Sequence, residues 1–218
     1  MEQKKLLGLL ESYGVIPVVA IESLEHAIPL ADALIEGGLP VAEITFRTQS
    51  AADVIKTLKK ERPELLVGAG TILSVENLIK AQEYGASFGV APGFNPEIVG
   101  KAVALGFPFF PGVMTPSDVE KGLSVGIKIL KFFPAEASGG LSMLKALSAP
   151  YAHLGVRFIP TGGININNLE GYLICNQVLA VGGTWIAKKD VIASRQWDRI
   201  KENALAVGKV VSQIRGKV

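Results

Sequence analysis

From Val15 onward the chain repeats one unit: a β-branched or aromatic run, a capping residue, an amphipathic stretch, then glycine. The runs fall at 15–21, 41–46, 65–72, 87–91, 107–113, 127–133, 157–161 and 178–185. Short runs of this kind read as strands, and strands alternating with single helices require parallel crossovers. Helix starts are marked at Asn95-Pro96 and Thr115-Pro116. Each sets a capping side chain before a proline at the first helical position, where the missing N–H costs nothing. Ser50 with Asp53 and Ser74 with Glu76 bring acceptors and negative charge to two further first turns. Gly38, Gly85, Gly106 and Gly126 stand where a left-handed residue ends a helix.

Eight such units, with no linker or shift in composition across residues 1–218, predict a single domain. The predicted fold class is α/β: a closed (β/α)8 TIM barrel with an N-terminal helix before the first strand. An open doubly wound sheet is the competing arrangement, but no strand leads into the GxGxxG fingerprint of a dinucleotide fold. Pro29 lies inside the amphipathic stretch 23–36 and predicts a kink there. The tail from 196 to 215 reads as a last helix closing the barrel.

Composition excludes several function classes. At 218 residues, 49% hydrophobic and 19% charged, the sequence is globular rather than disordered. No uncharged apolar stretch approaches the roughly 18 residues of a membrane helix. Residues 1–14 carry Lys4, Lys5 and Glu11 around a leucine run, which reads as a helix rather than a signal peptide. The single cysteine, Cys175, rules out an internal disulfide and suits a reducing, cytoplasmic setting; its apolar neighbours make it a buried small hydrophobe. A net charge of +2 with no dense basic run argues against nucleic acid as a partner. The only histidines, His26 and His153, have no ligand-spaced partners, so no metal site is expected and both read as surface or capping residues.

In a closed barrel both strand faces are buried, so an inward polar residue is costly unless it serves a site. Active sites of such barrels lie at the carboxyl ends of the strands. In the second strand, period two puts Val41, Glu43, Thr45 and Arg47 on one face and Ala42, Ile44 and Phe46 on the other. The apolar set meets the helices, which turns Glu43, Thr45 and Arg47 inward. A structural Glu43–Arg47 ion pair is the plainer alternative. The sixth strand carries Lys128 and Lys131 on opposite faces. Lys128, near the amino end, can snorkel to solvent. Lys131 shares its face with Phe133 near the carboxyl end, where a lysine is placed to act as a nucleophile or to sit in an ion pair.

Two glycine pairs follow the last two strands, Gly162-Gly163 after Thr161 and Gly182-Gly183 before Thr184. Adjacent glycines let backbone N–H groups approach an anion, and barrels often bind phosphate in the loops after strands seven and eight. Tight turns are the alternative use of such pairs. No GxSxG elbow or Walker loop is present.

Six segments carry a resemblance: Glu43-Ile44-Thr45-Phe46-Arg47-Thr48, Gly68-Ala69-Gly70-Thr71, Ala91-Pro92-Gly93, Lys131-Phe132-Phe133-Pro134-Ala135-Glu136, Pro160-Thr161-Gly162-Gly163-Ile164 and Gly182-Gly183-Thr184-Trp185. Together they resemble the 2-keto-3-deoxy-6-phosphogluconate and 4-hydroxy-2-oxoglutarate aldolase family, in register from about Val15 to the end. That resemblance implies a class I lyase, a homotrimer of barrels without a cofactor, acting on a phosphorylated 2-keto acid. It implies Lys131 as the Schiff-base lysine and Glu43 as the general acid and base. Arg47 and Thr71 would hold the pyruvate carboxylate end, with Pro92 and Phe133 packing the pocket. Thr161, Gly162, Gly163, Gly183 and Thr184 would meet the sugar-acid chain and its phosphate. Thr184 stands where the resemblance leads one to expect serine. The same chemistry on 4-hydroxy-2-oxoglutarate or the 6-phosphogalactonate epimer is the near alternative. An isomerase or epimerase with Glu43 as base, or a sugar-phosphate sensor, is the more distant one.

Overall fold

The computed structural model describes residues 2–216. Helix α1 (Gln3–Tyr13) precedes β1 (Val15–Val19), and strands and helices then alternate: α2 (Ala27–Glu36), β2 (Val41–Thr45), α3 (Ala51–Glu61), β3 (Leu66–Gly70), α4 (Val75–Glu83) and β4 (Gly89–Val90). They continue through α5 (Pro96–Ala104), β5 (Phe109–Phe110), β6 (Gly112–Val113), α6 (Pro116–Ser124), β7 (Ile129–Phe132), α7 (Gly140–Ser148) and β8 (Arg157–Pro160). The last elements are α8 (Leu169–Leu173), β9 (Val181–Gly183), α9 (Lys189–Ala193) and α10 (Trp197–Arg215).

All named strand pairs are parallel, and they form a six-stranded sheet, β5-β4-β3-β2-β1-β9, and a three-stranded sheet, β6-β7-β8. The expectation of one closed ring is therefore met at a coarser level, as an α/β fold with a curled parallel sheet in two parts. Pro111, which has no N–H to give to a ladder, separates β5 from β6. On the other side, β8 and β9 are joined through isolated parallel bridges at Phe158–Val178 and Thr161–Gly182. The strands are covered on both sides: all five residues of β1 and of β2 are buried, the polar Glu43 and Thr45 among them.

Helix caps follow the sequence at three of four sites. Asn95 accepts from the N–H of Glu97, Ser74 from Asn77, and Thr115 forms a reciprocal capping box with Asp118. Ser50 departs from expectation: its hydroxyl donates to the carbonyl of Ile21 at 2.7 Å and caps nothing. Pro29 produces no kink, because residues 24–26 form a 3₁₀ turn and α2 begins at Ala27. Pro29 thus lies in the first turn, where no intrahelical donor is required. His26 is half-buried, its ring edge-on to Trp197 at 5.7 Å, rather than on the surface. His153 is exposed near the end of a 3₁₀ helix, and Cys175 is a buried free thiol. Among the described residues no helix is long and apolar enough to cross a membrane.

Candidate active site

Glu43 and Lys131 are among the few buried ionisable side chains, 2% and 5% exposed. Glu43 comes from the middle of β2, flanked in register by Val18 of β1 and Gly68 of β3. Lys131 comes from β7, between Gly112 and Ile159. Their alternation in otherwise apolar strands turns both inward, and Lys131 Nζ stands 3.6 Å from Glu43 Oε1. That gap is beyond a direct hydrogen bond. Oε1 is buried without a hydrogen-bond partner among the described residues. A buried polar atom left without a hydrogen bond is costly, and such atoms mark sites of function more often than of structure. The ammonium end of Lys131 also lies 5.6 Å from the centre of the Phe133 ring.

The inward face of β2 continues through Thr45, which is fully buried and donates to the carbonyl of Val19 at 2.9 Å. Arg47 follows just beyond the strand, exposed, with Nε donating to Thr45 Oγ1 at 3.2 Å. The proposed Glu43–Arg47 ion pair does not form: Lys131 is the cation beside Glu43. The terminal fork of Arg47 is left at the mouth of the site, able to receive a carboxylate. Thr71, directly after β3, has φ 56°, a conformation unfavourable for a β-branched side chain and held here at the edge of the same site.

These groups enclose one cavity of about 220 Å³ at the carboxyl ends of the strands. Its walls include Glu43, Arg47, Thr71, Pro92, Lys131, Phe133, Thr161, Gly162, Gly163 and Thr184, together with Val18, Ile164 and Gly182. Of the residues that the resemblance assigned to the site, all but Gly183 are in the wall. A Cβ on Gly183 would point at the Trp185 ring, 2.6 Å from Cε3. Gly182 and Thr184 share the opposite face and take its place, as strict alternation along β9 requires. Neither Gly162 nor Gly163 has its N–H bonded to a protein acceptor among the described residues, and both lie at positive φ. Free N–H groups in such a turn form an anion-binding concavity. Larger hollows, of about 650 and 700 Å³, lie elsewhere, but neither contains a buried lysine–carboxylate pair. Among the described residues no three His, Cys, Asp or Glu side chains gather as a metal site would require.

Fold and site together define a class: a parallel α/β enzyme with a buried lysine–glutamate pair at the carboxyl ends of its strands. The profile of the KDPG and KHG aldolase family matches residues 8–203. A curated relative, the 2-dehydro-3-deoxy-phosphogluconate aldolase of Haemophilus influenzae, is 45% identical over 197 residues, covering 90% of this chain and 92% of its own. The crystal structure of KDPG aldolase from Legionella pneumophila, with pyruvate captured as a covalent carbinolamine, superposes with a TM-score of 0.88 at 39% identity, covering 92% of this chain and 97% of that one. The 2-keto-3-deoxy-6-phosphogluconate aldolase of Zymomonas mobilis with 3-phosphoglycerate gives 0.85 at 39% identity, with 95% and 96% covered. The chain belongs to the KDPG and KHG aldolase family.

Proposed function

We propose that the protein is a class I aldolase that cleaves 2-keto-3-deoxy-6-phosphogluconate to pyruvate and glyceraldehyde 3-phosphate through a Schiff base on Lys131. The observation that carries this reading is the buried pair of Lys131 Nζ and an unpartnered Glu43 Oε1, 3.6 Å apart. Lys131 passes a proton to Glu43, and the amine so freed adds to the C2 ketone, giving a carbinolamine. Glu43 protonates the departing hydroxyl, water leaves, and an iminium remains. Glu43, now a carboxylate, removes the C4 hydroxyl proton, directly or through water. The C3–C4 bond breaks, its electron pair moves into the iminium, and the aldehyde departs. The enamine takes the proton from Glu43 at C3, and water hydrolyses the resulting iminium, freeing pyruvate and returning the Lys131 ammonium beside the Glu43 carboxylate. Acid–base assistance of this kind is worth about 10²–10⁴-fold.

Arg47 and Thr71 hold the carboxylate end, Pro92 and Phe133 wall the ketone region, and Thr161, Gly162, Gly163 and Thr184 receive the distal chain. The free N–H groups of the glycine turn favour a phosphorylated substrate over 4-hydroxy-2-oxoglutarate. The reading includes a whole-molecule form. With β5 and β6 counted as one strand broken at Pro111 and the ring closed between β8 and β9, residues 1–218 make a single (β/α)8 barrel domain. Three such barrels assemble as a homotrimer in the cytoplasm, a reading that rests on family membership and on the lone reduced cysteine.

Borohydride reduction in the presence of pyruvate tests the chemistry. The expected result is inactivation with a pyruvyl-derived mass on Lys131, located by peptide mapping. No adduct, with activity retained, would leave Lys131 an electrostatic clamp in an isomerase or epimerase.

A further inference from the structure

The run that carries Lys131 ends at Glu136, and three contacts tie that end to the chain after β8, two to the glycine turn and one to α8. The N–H of Ala135 donates to the carbonyl of Thr161 at 2.8 Å, and the N–H of Glu136 to the carbonyl of Gly162 at 3.0 Å. The carboxylate of Glu136 accepts a hydrogen bond from the hydroxyl of Tyr172, which is 2% exposed and belongs to α8. The chain from 161 to 172 therefore wraps around the Glu136 side chain. The wrap is tight: a Cβ on Gly163 would stand 2.6 Å from Glu136 Cβ, and one on Gly140 would lie 3.0 Å from Oε1 and 3.4 Å from the Tyr172 hydroxyl.

These contacts decide where the free donors point. The 161–162 and 162–163 peptides are trans. In a trans peptide the carbonyl and the N–H point in opposite directions. Turning the Thr161 and Gly162 carbonyls onto residues 135 and 136 sends the N–H groups of Gly162 and Gly163 the other way. Both glycines line the cavity, and neither N–H has a protein partner among the described residues. Burial first, and then the Glu136 carboxylate, push the Tyr172 phenol above its ordinary range, so it remains a hydrogen-bond donor across physiological pH.

We infer that Glu136 and Tyr172 are positioning residues: they clamp the glycine turn against the Lys131 loop and aim the N–H groups of Gly162 and Gly163 at the substrate's phosphate. Neither touches the reacting atoms. The inference rests on the aldolase reading for its substrate. The mechanism divides accordingly, because Lys131 and Glu43 handle the keto acid and the clamp serves only the distal anion.

The test compares Tyr172→Phe, Glu136→Ala and Glu136→Gln with the unaltered protein. Tyr172→Phe and Glu136→Ala are expected to raise KM for the phosphorylated aldol, and Kd for inorganic phosphate by calorimetry, about tenfold, the scale of one hydrogen bond. Glu136→Gln keeps an acceptor for the Tyr172 hydroxyl and is expected to restore both values to within about threefold. In all three variants the rate of borohydride trapping with pyruvate, which has no phosphate, stays unchanged. Unchanged phosphate binding in Tyr172→Phe and Glu136→Ala would overturn the inference. So would trapping slowed in step with KM, because the pair would then act through the fold as a whole. If the unaltered protein forms no pyruvate adduct, the aldolase reading fails, while the phosphate titration still decides the clamp.

Discussion

A methyl group on Gly70 would overlap Oε1 of Glu43 and stand 2.6 Å from its Cγ. Gly70 has no catalytic atom of its own, yet its missing side chain is the space in which the carboxylate sits. Gly70→Ala is thus expected to swing Glu43 away from Lys131 and lower kcat by about 10²-fold or more, the lower bound of what a positioned acid–base group contributes. Circular dichroism should remain that of the unaltered protein, and a kcat within threefold of it would refute the argument. At this scale the sequence was informative where chemistry met alternation. Lys131 and Glu43 stood out as ionisable groups on the inward faces of apolar strands, and both are in the cavity wall. The pair Gly182-Gly183 was read as a unit, although adjacent strand residues face opposite ways; Gly182 is in the wall and Gly183 is not. The Glu136–Tyr172 contact spans 36 residues and leaves no local pattern to detect.

Elements were legible as units and less so at their ends. Asn95, Ser74 and Thr115 cap as their sequence context suggests, because nothing else competes for their side chains. Ser50 and Pro29 depart from the local rule because a distant carbonyl and a preceding 3₁₀ turn decide their roles. The links between elements at the amino ends of the strands were invisible for the same reason. There Glu11 of α1 accepts from both terminal nitrogens of Arg157 on β8, at 2.8 and 2.6 Å. Arg215 of α10 donates to the carbonyls of Leu179 and Val178 at 2.8 and 3.1 Å. The hydrogen bonds from Arg157 hold the Glu11 carboxyl below its ordinary value, against a burial effect that would raise it. A carboxyl depressed in the folded state stabilises above its unfolded pKa, and loses that contribution as pH falls through the folded value. The melting temperature of Glu11→Gln should therefore lie below that of the unaltered protein at neutral pH, with the gap closing below about pH 4. Since Glu11 is half exposed, the gap should correspond to about 1 kcal/mol or less. A gap that does not change between pH 7 and 3 would show that the pair's charge has no part in docking α1.

At the scale of the molecule the open question is whether two sheets mean two folding units. The break at Pro111 divides the chain near its middle, with β6, β7 and β8 on one side of it. Yet β9, the last strand, pairs with β1 in the larger sheet, so the smaller sheet is enclosed by chain belonging to the larger one. Helix α10 reinforces that return by packing on α2 and α1. A segment bounded in this way cannot unfold without releasing the bridge between Thr161 and Gly182, which also carries the distal wall of the cavity. The two sheets should therefore melt together. Of the two tryptophans, Trp185 follows β9 and Trp197 opens α10, so both report on the larger sheet's closing end, whereas far-ultraviolet circular dichroism reports on every helix. Urea titrations followed by the two signals should superimpose on one transition, as expected of a single cooperative domain. Displaced midpoints, with the tryptophan signal persisting after part of the helical signal is lost, would separate 112–160 as a second unit. In that case Lys131 and Glu43 would belong to different folding units, and the catalytic pair would form only when the two dock.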